Sequence, residues 1–287
     1  MSGLVALESF LLLVLIALLP ALLYLSWVRT TEFGQKEGWG IVLRCFAYGA
    51  FFATIVAAVV EAALVAGGTG LAVAVPAPEF VFLNGNTTAG QFFLILVAAP
   101  FIEEALKASG VYAYRAQIRR IADGAVLGAS VGLGFGFFET FLYGLGAYAT
   151  GGIVAGIALI ALRSISSVLL HGSSTAVFGY GYAEERLTGR GRAASTHYLG
   201  AVALHGAFNA VVSLGSFAAV LGLTGNVADA LSALGLALGI FLAFLAIEYV
   251  RRIIVQSSYP GALAAHPKFR PPPIRPATAS VRPPARR

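Results

Sequence analysis

Residues 91–113 read QFFLILVAAPFIEEALKASGVYA, a run long and apolar enough to cross a hydrocarbon core of about 30 Å as a helix. Inside it stand two adjacent carboxylates, Glu103 and Glu104, and Lys107 one turn further on. An ionisable group near the bilayer centre costs about 3 kcal/mol on insertion scales, so such groups face a cavity, a partner or a site rather than lipid. The lysine stands four residues after Glu103 and three after Glu104, within reach of either. Adjacent helical residues point about 100° apart, so one glutamate can face a cavity while the other is held by a partner.

The rest of the chain places this run in a membrane. Of its 287 residues, 58% are hydrophobic and only 11% charged, and the mean hydropathy is +0.84; a soluble domain carries roughly a quarter charged residues. Apolar stretches of spanning length occur at about 9–28, 41–66, 91–113, 122–148, 152–183, 197–222 and 227–250. The fold class is therefore all-α, a polytopic transmembrane helix bundle of about seven spanning helices, with residues 1–255 as the membrane domain. The first stretch is read as a retained span bent at Pro20, because MSGLVALE carries no basic residue and no small-x-small cleavage site follows. The single cysteine, Cys45, excludes an intramolecular disulfide and a thiolate metal cluster. Asn86-Thr87-Thr88 matches a glycosylation acceptor, a short pattern that carries no argument in a bacterium.

The 19 basic residues orient the bundle. Connections after the first, third and fifth spans hold Arg29 and Lys36, then Arg115, Arg119 and Arg120, then Arg186, Arg190 and Arg192. The remaining connections hold none, and eight more follow the last span. An outside N-terminus and a cytoplasmic C-terminus are expected, in a bacterial or archaeal cell membrane. Residues 256–287, rich in Pro and Arg, are expected to be a disordered cytoplasmic tail touching anionic lipid; nothing supports a nucleic-acid partner. The outer loop 68–90 is half apolar and is expected to lie on the outer interface or form a lid.

Four consecutive spans carry polar groups that a lipid-facing helix excludes. Glu103 and Glu104 lie on the third, Glu139 on the fourth, Arg163 and His171 on the fifth, and His205 with Asn209 on the sixth. Their number favours one shared polar cavity within a core of about 91–222. Phe135, Glu139 and Tyr143 share a helix face, as do His205 and Asn209. Arg163 and His171 are eight residues apart and need not address the same point; Arg163 could instead neutralise a carboxylate on the third or fourth span. Gly124, Gly128, Gly132 and Gly136 recur every fourth residue and make a groove into which a neighbouring backbone fits. Glu61, Asp229 and Glu248 lie near span ends, where they can snorkel, and Asp123 suits a helix N-terminus as a cap.

Carboxylates, imidazoles and an amide in a desolvated pocket can deprotonate water and stabilise the oxyanion formed when it attacks a carbonyl. Two histidines and a glutamate also make a plausible zinc site with an open position for water. Its ligands would come from Glu103 or Glu104, Glu139, His171 and His205. Serine nucleophilic catalysis is less attractive: Ser164, Ser166, Ser167, Ser173 and Ser174 crowd the fifth span without a GxSxG motif.

Four blocks in order resemble the PrsW family of intramembrane proteases, part of a wider group with the CAAX prenyl-endopeptidases. They are PFIEEALK (100–107), DGAVLGASVGLGFGFFETFLY (123–143), RSISSVLLHGSSTAVFG (163–179) and HGAFN (205–209). Thr140 departs from the pattern, since many relatives carry Asn there. The resemblance implies hydrolysis of a peptide bond in a membrane protein or lipid-anchored substrate, and for bacterial relatives regulated proteolysis such as anti-sigma factor cleavage. It implies Glu103 or Glu104 as general base, Glu139 and His171 holding the water, His205 and Asn209 orienting the tetrahedral intermediate, and Lys107, Arg163 and Tyr143 in support. Zinc is compatible with it, as is a glutamate-dependent mechanism. Two other readings use the same residues: a proton-coupled transporter or channel, and a catalytically silent member that binds a membrane partner. An internal repeat with matching broken helices would favour transport, and the sequence contains none.

Overall fold

The computed structural model describes residues 3–75 and 82–259. The expected tail from 260 onward and the middle of the outer loop, 76–81, lie outside the described residues. All regular structure among the described residues is helical. Helix α1 spans Gly3–Thr31 and continues through Pro20. Helix α2 (Trp39–Ala47) runs through a π-helical segment, Tyr48–Ala53, into α3 (Thr54–Ala74). A second π segment, Leu94–Ala98, joins α4 (Thr88–Phe93) to α5 (Ala99–Ala113).

Helix α6, Ile121–Ser164, has 44 residues, about 66 Å at 1.5 Å per residue and too long for one crossing. It folds back at Gly152, whose φ of +75° and ψ of −172° suit a residue without Cβ. The returning arm packs Ile160 and Gly156 against Gly144. After a break at Ile165–Ser166, α7 (Ser167–Thr188) continues and ends on the left-handed Gly189. Helix α8 (Ala193–Val212) meets the short α9 (Leu214–Val220) at a bend of 58°, and α10 spans Asn226–Ser258.

Five stretches are long and apolar enough to cross a membrane, six with the bent α8–α9 pair. One of the five, Ile121–Thr188, contains both arms of the α6 hairpin, which accounts for the two spans expected at 122–148 and 152–183. Large apolar side chains such as Leu23, Val59, Val154 and Phe241 stand exposed around the outside, as a lipid-facing surface requires.

The glycine groove on α6 receives α7. A Cβ at Gly124, Gly128 or Gly132 would collide with the carbonyl oxygens of Gly179, Thr175 and His171 respectively, and Gly136 lies against Val168 and His171. Gly134 faces the carbonyl of Phe46, and Gly49 that of Val131, so α2 and its π segment close on another face of α6. Around α6 and its buried Leu133 pack Leu13, Leu25, Val42, Leu169 and Val250, all essentially inaccessible. Asp123, expected as a cap, is the third residue of α6 with Arg120 at the N-cap, and closes the helix start from inside by accepting the backbone N–H groups of Arg119 and Arg120 at 2.8 Å each. The Arg120 guanidinium pairs with Asp123 and with the buried Glu32, tying the α1–α2 loop to the start of α6.

Candidate active site

Helices α5, α6, α7 and α8 bring the polar residues of four passes together. The Lys107 ammonium, wholly buried, donates to Glu104 Oε1 at 2.7 Å and to His171 Nδ1 at 2.9 Å. It lies 3.6 Å from Glu103 Oε2 and 4.4 Å from the centre of the Phe135 ring. An ammonium has donors only, so His171 accepts at Nδ1 and carries its proton on Nε2. That N–H donates to Glu139 Oε2 at 2.8 Å, which also receives the Arg163 guanidinium at 2.6 Å. Arg163 lies flat over the Tyr143 ring, its central carbon 4.0 Å from the centroid.

Glu104 is fully engaged inside the protein. Besides Lys107 it accepts from Ser174 at 2.9 Å, more weakly from Thr175 at 3.4 Å, and from His205 Nδ1 at 3.1 Å. The His205 proton is thereby fixed on Nδ1 and its Nε2 lone pair is free, 3.9 Å from Glu103 Oε2. Glu103 Oε2 has no hydrogen-bond partner among the described residues, and His171 Nδ1 is 3.8 Å away.

A cavity of about 330 Å³ opens onto this cluster. Glu103, Glu139, Tyr143, His171, His205 and Asn209 line it, whereas Glu104 and Lys107 stand behind the wall. Of the two adjacent glutamates, Glu103 therefore faces the cavity and Glu104 is the interior partner. Arg163 and His171, eight residues apart, meet on Glu139 because the break at Ile165–Ser166 resets the helical phase between them. Asn209 spends its Nδ2 on the carbonyl of Ile95, in the π segment, at 2.9 Å. Thr140 is buried, its hydroxyl has no hydrogen-bond partner among the described residues, and it does not line the cavity. Ser166 and Ser173 bond carbonyls four residues back as ordinary helix serines do, whereas Ser174 donates to Glu104 and Ser167 accepts from Arg163 at 2.9 Å.

One residue read from the sequence as a snorkelling span end belongs to the site region. Glu61 lines the same cavity. The apolar run ends near residue 66, but α3 continues to Ala74, which leaves Glu61 well inside the helix. The longer helix was hidden by the glycine-rich stretch Gly67–Gly70.

Glu103, His171 and His205 offer ligand atoms within 4.8 Å of one another, a set able to hold a metal ion. The donor chemistry fits zinc, which takes imidazole nitrogen and carboxylate oxygen. Glu103 Oε2 and His205 Nε2 carry free lone pairs, and each histidine's other nitrogen is held by a carboxylate, Glu139 or Glu104, the support that metal-bound histidines receive. Glu139 stands behind His171 in this arrangement, outside the three-residue set. Lys107 occupies the side of His171 Nδ1 that a metal would use.

Searches of curated proteins and of solved structures returned no match. The family model described as PrsW family intramembrane metalloprotease matches residues 37–250, a range that contains every site residue above and three quarters of the chain. With that match laid over a buried glutamate–histidine cluster shared by four apolar passes, the chain belongs to the PrsW family of intramembrane metalloproteases.

Proposed function

We propose that this protein hydrolyses a peptide bond of a membrane protein or lipid-anchored protein in the cavity between α5, α6, α7 and α8. The observation that carries the reading is Glu103, a cavity-lining carboxylate whose Oε2 has no hydrogen-bond partner among the described residues, flanked by two histidines whose tautomers are fixed by other carboxylates. Such a group is placed to take a proton from water as the water oxygen attacks the scissile carbonyl carbon. The same proton then passes to the amine nitrogen as the C–N bond breaks.

Glu104 and Lys107 hold the neighbouring side chains in register rather than reacting. Glu104 fixes His205 with Nε2 toward the cavity, and Glu139, neutralised by Arg163, fixes His171. Asn209 acts through Ile95, by holding the π segment that forms one wall. With Lys107 withdrawn from His171 Nδ1, Glu103, His171 and His205 would hold a zinc ion, which when bound would polarise a carbonyl and acidify water. In the cell, the basic loops face the cytoplasm of a bacterium or archaeon, the N-terminus lies outside, and the substrate is a regulatory membrane protein such as an anchored anti-sigma factor.

Purified protein analysed for metal, then assayed before and after strong chelation and zinc re-addition, separates the two chemistries. About one zinc per chain, with cleavage lost on chelation and restored by zinc, is the expected result. Cleavage insensitive to chelation would assign the reaction to Glu103 without metal.

A further inference from the structure

The cavity extends beyond the glutamate–histidine cluster to a carboxylate that the hydrolytic reading does not use. We propose that Glu61 is a specificity residue that binds a lysine or arginine side chain of the substrate. The inference rests on the protease reading for its site but is carried by different observations.

The other carboxylates at the site have cations. Glu139 has Arg163 at 2.6 Å, Glu104 has Lys107 at 2.7 Å, and Glu103 has Lys107 at 3.6 Å. Glu61 has no ion pair among the described residues, and its Oε1 is buried without a hydrogen-bond donor. A group of this kind inside an apolar bundle is destabilising until something satisfies it. The wall of the same cavity also carries aliphatic side chains, Ala58 on the helix of Glu61, Leu94, Leu142 and Val212, and the guanidinium on that wall, Arg163, is already paired with Glu139. A cavity whose wall combines aliphatic side chains with a carboxylate that has no cation among the described residues matches a long side chain that carries methylenes along its stem and a cation at its tip. A backbone amide would satisfy the hydrogen bond but leave the charge; an ammonium or guanidinium satisfies both. The cavity joins Glu61 to Glu103, so the basic residue would lie close to the bond presented for cleavage.

The test uses synthetic transmembrane peptides, an Ala/Leu host of about twenty residues with lysine or norleucine placed at successive positions. Binding to the full-length protein in lipid nanodiscs is measured together with cleavage. The protein is expected to bind the best lysine peptide at least about tenfold more tightly than its norleucine counterpart, within the range of desolvated charge pairs at interfaces. Glu61→Gln is expected to bring that ratio close to one, and Glu61→Lys to favour a glutamate peptide over the lysine peptide. A ratio near one in the unaltered protein, or an undiminished ratio in Glu61→Gln, would overturn the inference. A preserved lysine preference with no cleavage of any bound peptide would support the role of Glu61 and count against the protease reading instead.

Discussion

Glu103 and Glu104 are chemically identical and adjacent, yet their surroundings separate them. Glu104 receives an ammonium, two hydroxyls and an imidazole N–H; Glu103 lines the cavity, and its Oε2 has no hydrogen-bond partner among the described residues. Glu103→Gln is therefore expected to lower cleavage at least about a hundredfold, the lower end of what a general base contributes, with an unchanged melting temperature. Glu104→Gln also disturbs Lys107 and His205, so it should lower both cleavage and thermal stability. Glu139→Gln weakens the orientation of His171 and should reduce metal affinity or cleavage by about ten- to a hundredfold, the usual effect of losing a carboxylate behind a ligating histidine. Metal titration monitored by competition with a chromophoric chelator reads that effect without a substrate. The residue types of this site were legible in the sequence because charges are conspicuous in apolar helices, and the 100° step showed that a single glutamate could face the cavity. Which one does so depends on the rotation of α5 against α7 and α8, and that is set by packing rather than by local pattern.

Among the elements, the α6–α7 pair positions the chemistry. Its glycine groove places the carbonyls of Thr175 and His171 directly over α6, and a side chain there would push His171 away from Glu139. Gly132→Val is expected to destabilise the fold by about 2 kcal/mol, as overpacking does, and to reduce cleavage more than Gly40→Ala, whose Cβ would meet only the Arg44 side chain. Thermal unfolding in detergent and cleavage rates check the two variants side by side. The clamp between α1 and α6 gives a second prediction. Arg120→Met leaves the buried Glu32 without its cation and should cost roughly 3 kcal/mol, whereas the double variant with Glu32→Gln should recover most of it. The groove was visible as a four-residue repeat. The break at Ile165–Ser166 and the two π segments were not, because each departs from helical periodicity by only one or two residues within an otherwise continuous apolar run.

For the whole molecule, the number of passes followed from apolar run lengths, and the helical architecture, with five stretches of spanning length or six with the bent pair, is close to it. What run lengths concealed was the extent of α3, and with it the place of Glu61, since glycines lowered the apparent end of the run without ending the helix. The orientation is open to direct test: in a Cys45→Ala background, Gly191→Cys should react with a membrane-impermeant thiol reagent only from the cytoplasmic side, and Asn86→Cys only from outside. Labelling with the opposite sidedness would invert the bundle. The most direct test of the central claim is cleavage of a membrane-anchored reporter in reconstituted vesicles by the unaltered protein and by Glu103→Ala, Glu104→Ala and His171→Ala. If the buried glutamate–histidine cluster is the hydrolytic centre, the unaltered protein cleaves and each variant inserts normally but does not; cleavage retained by all three would contradict it.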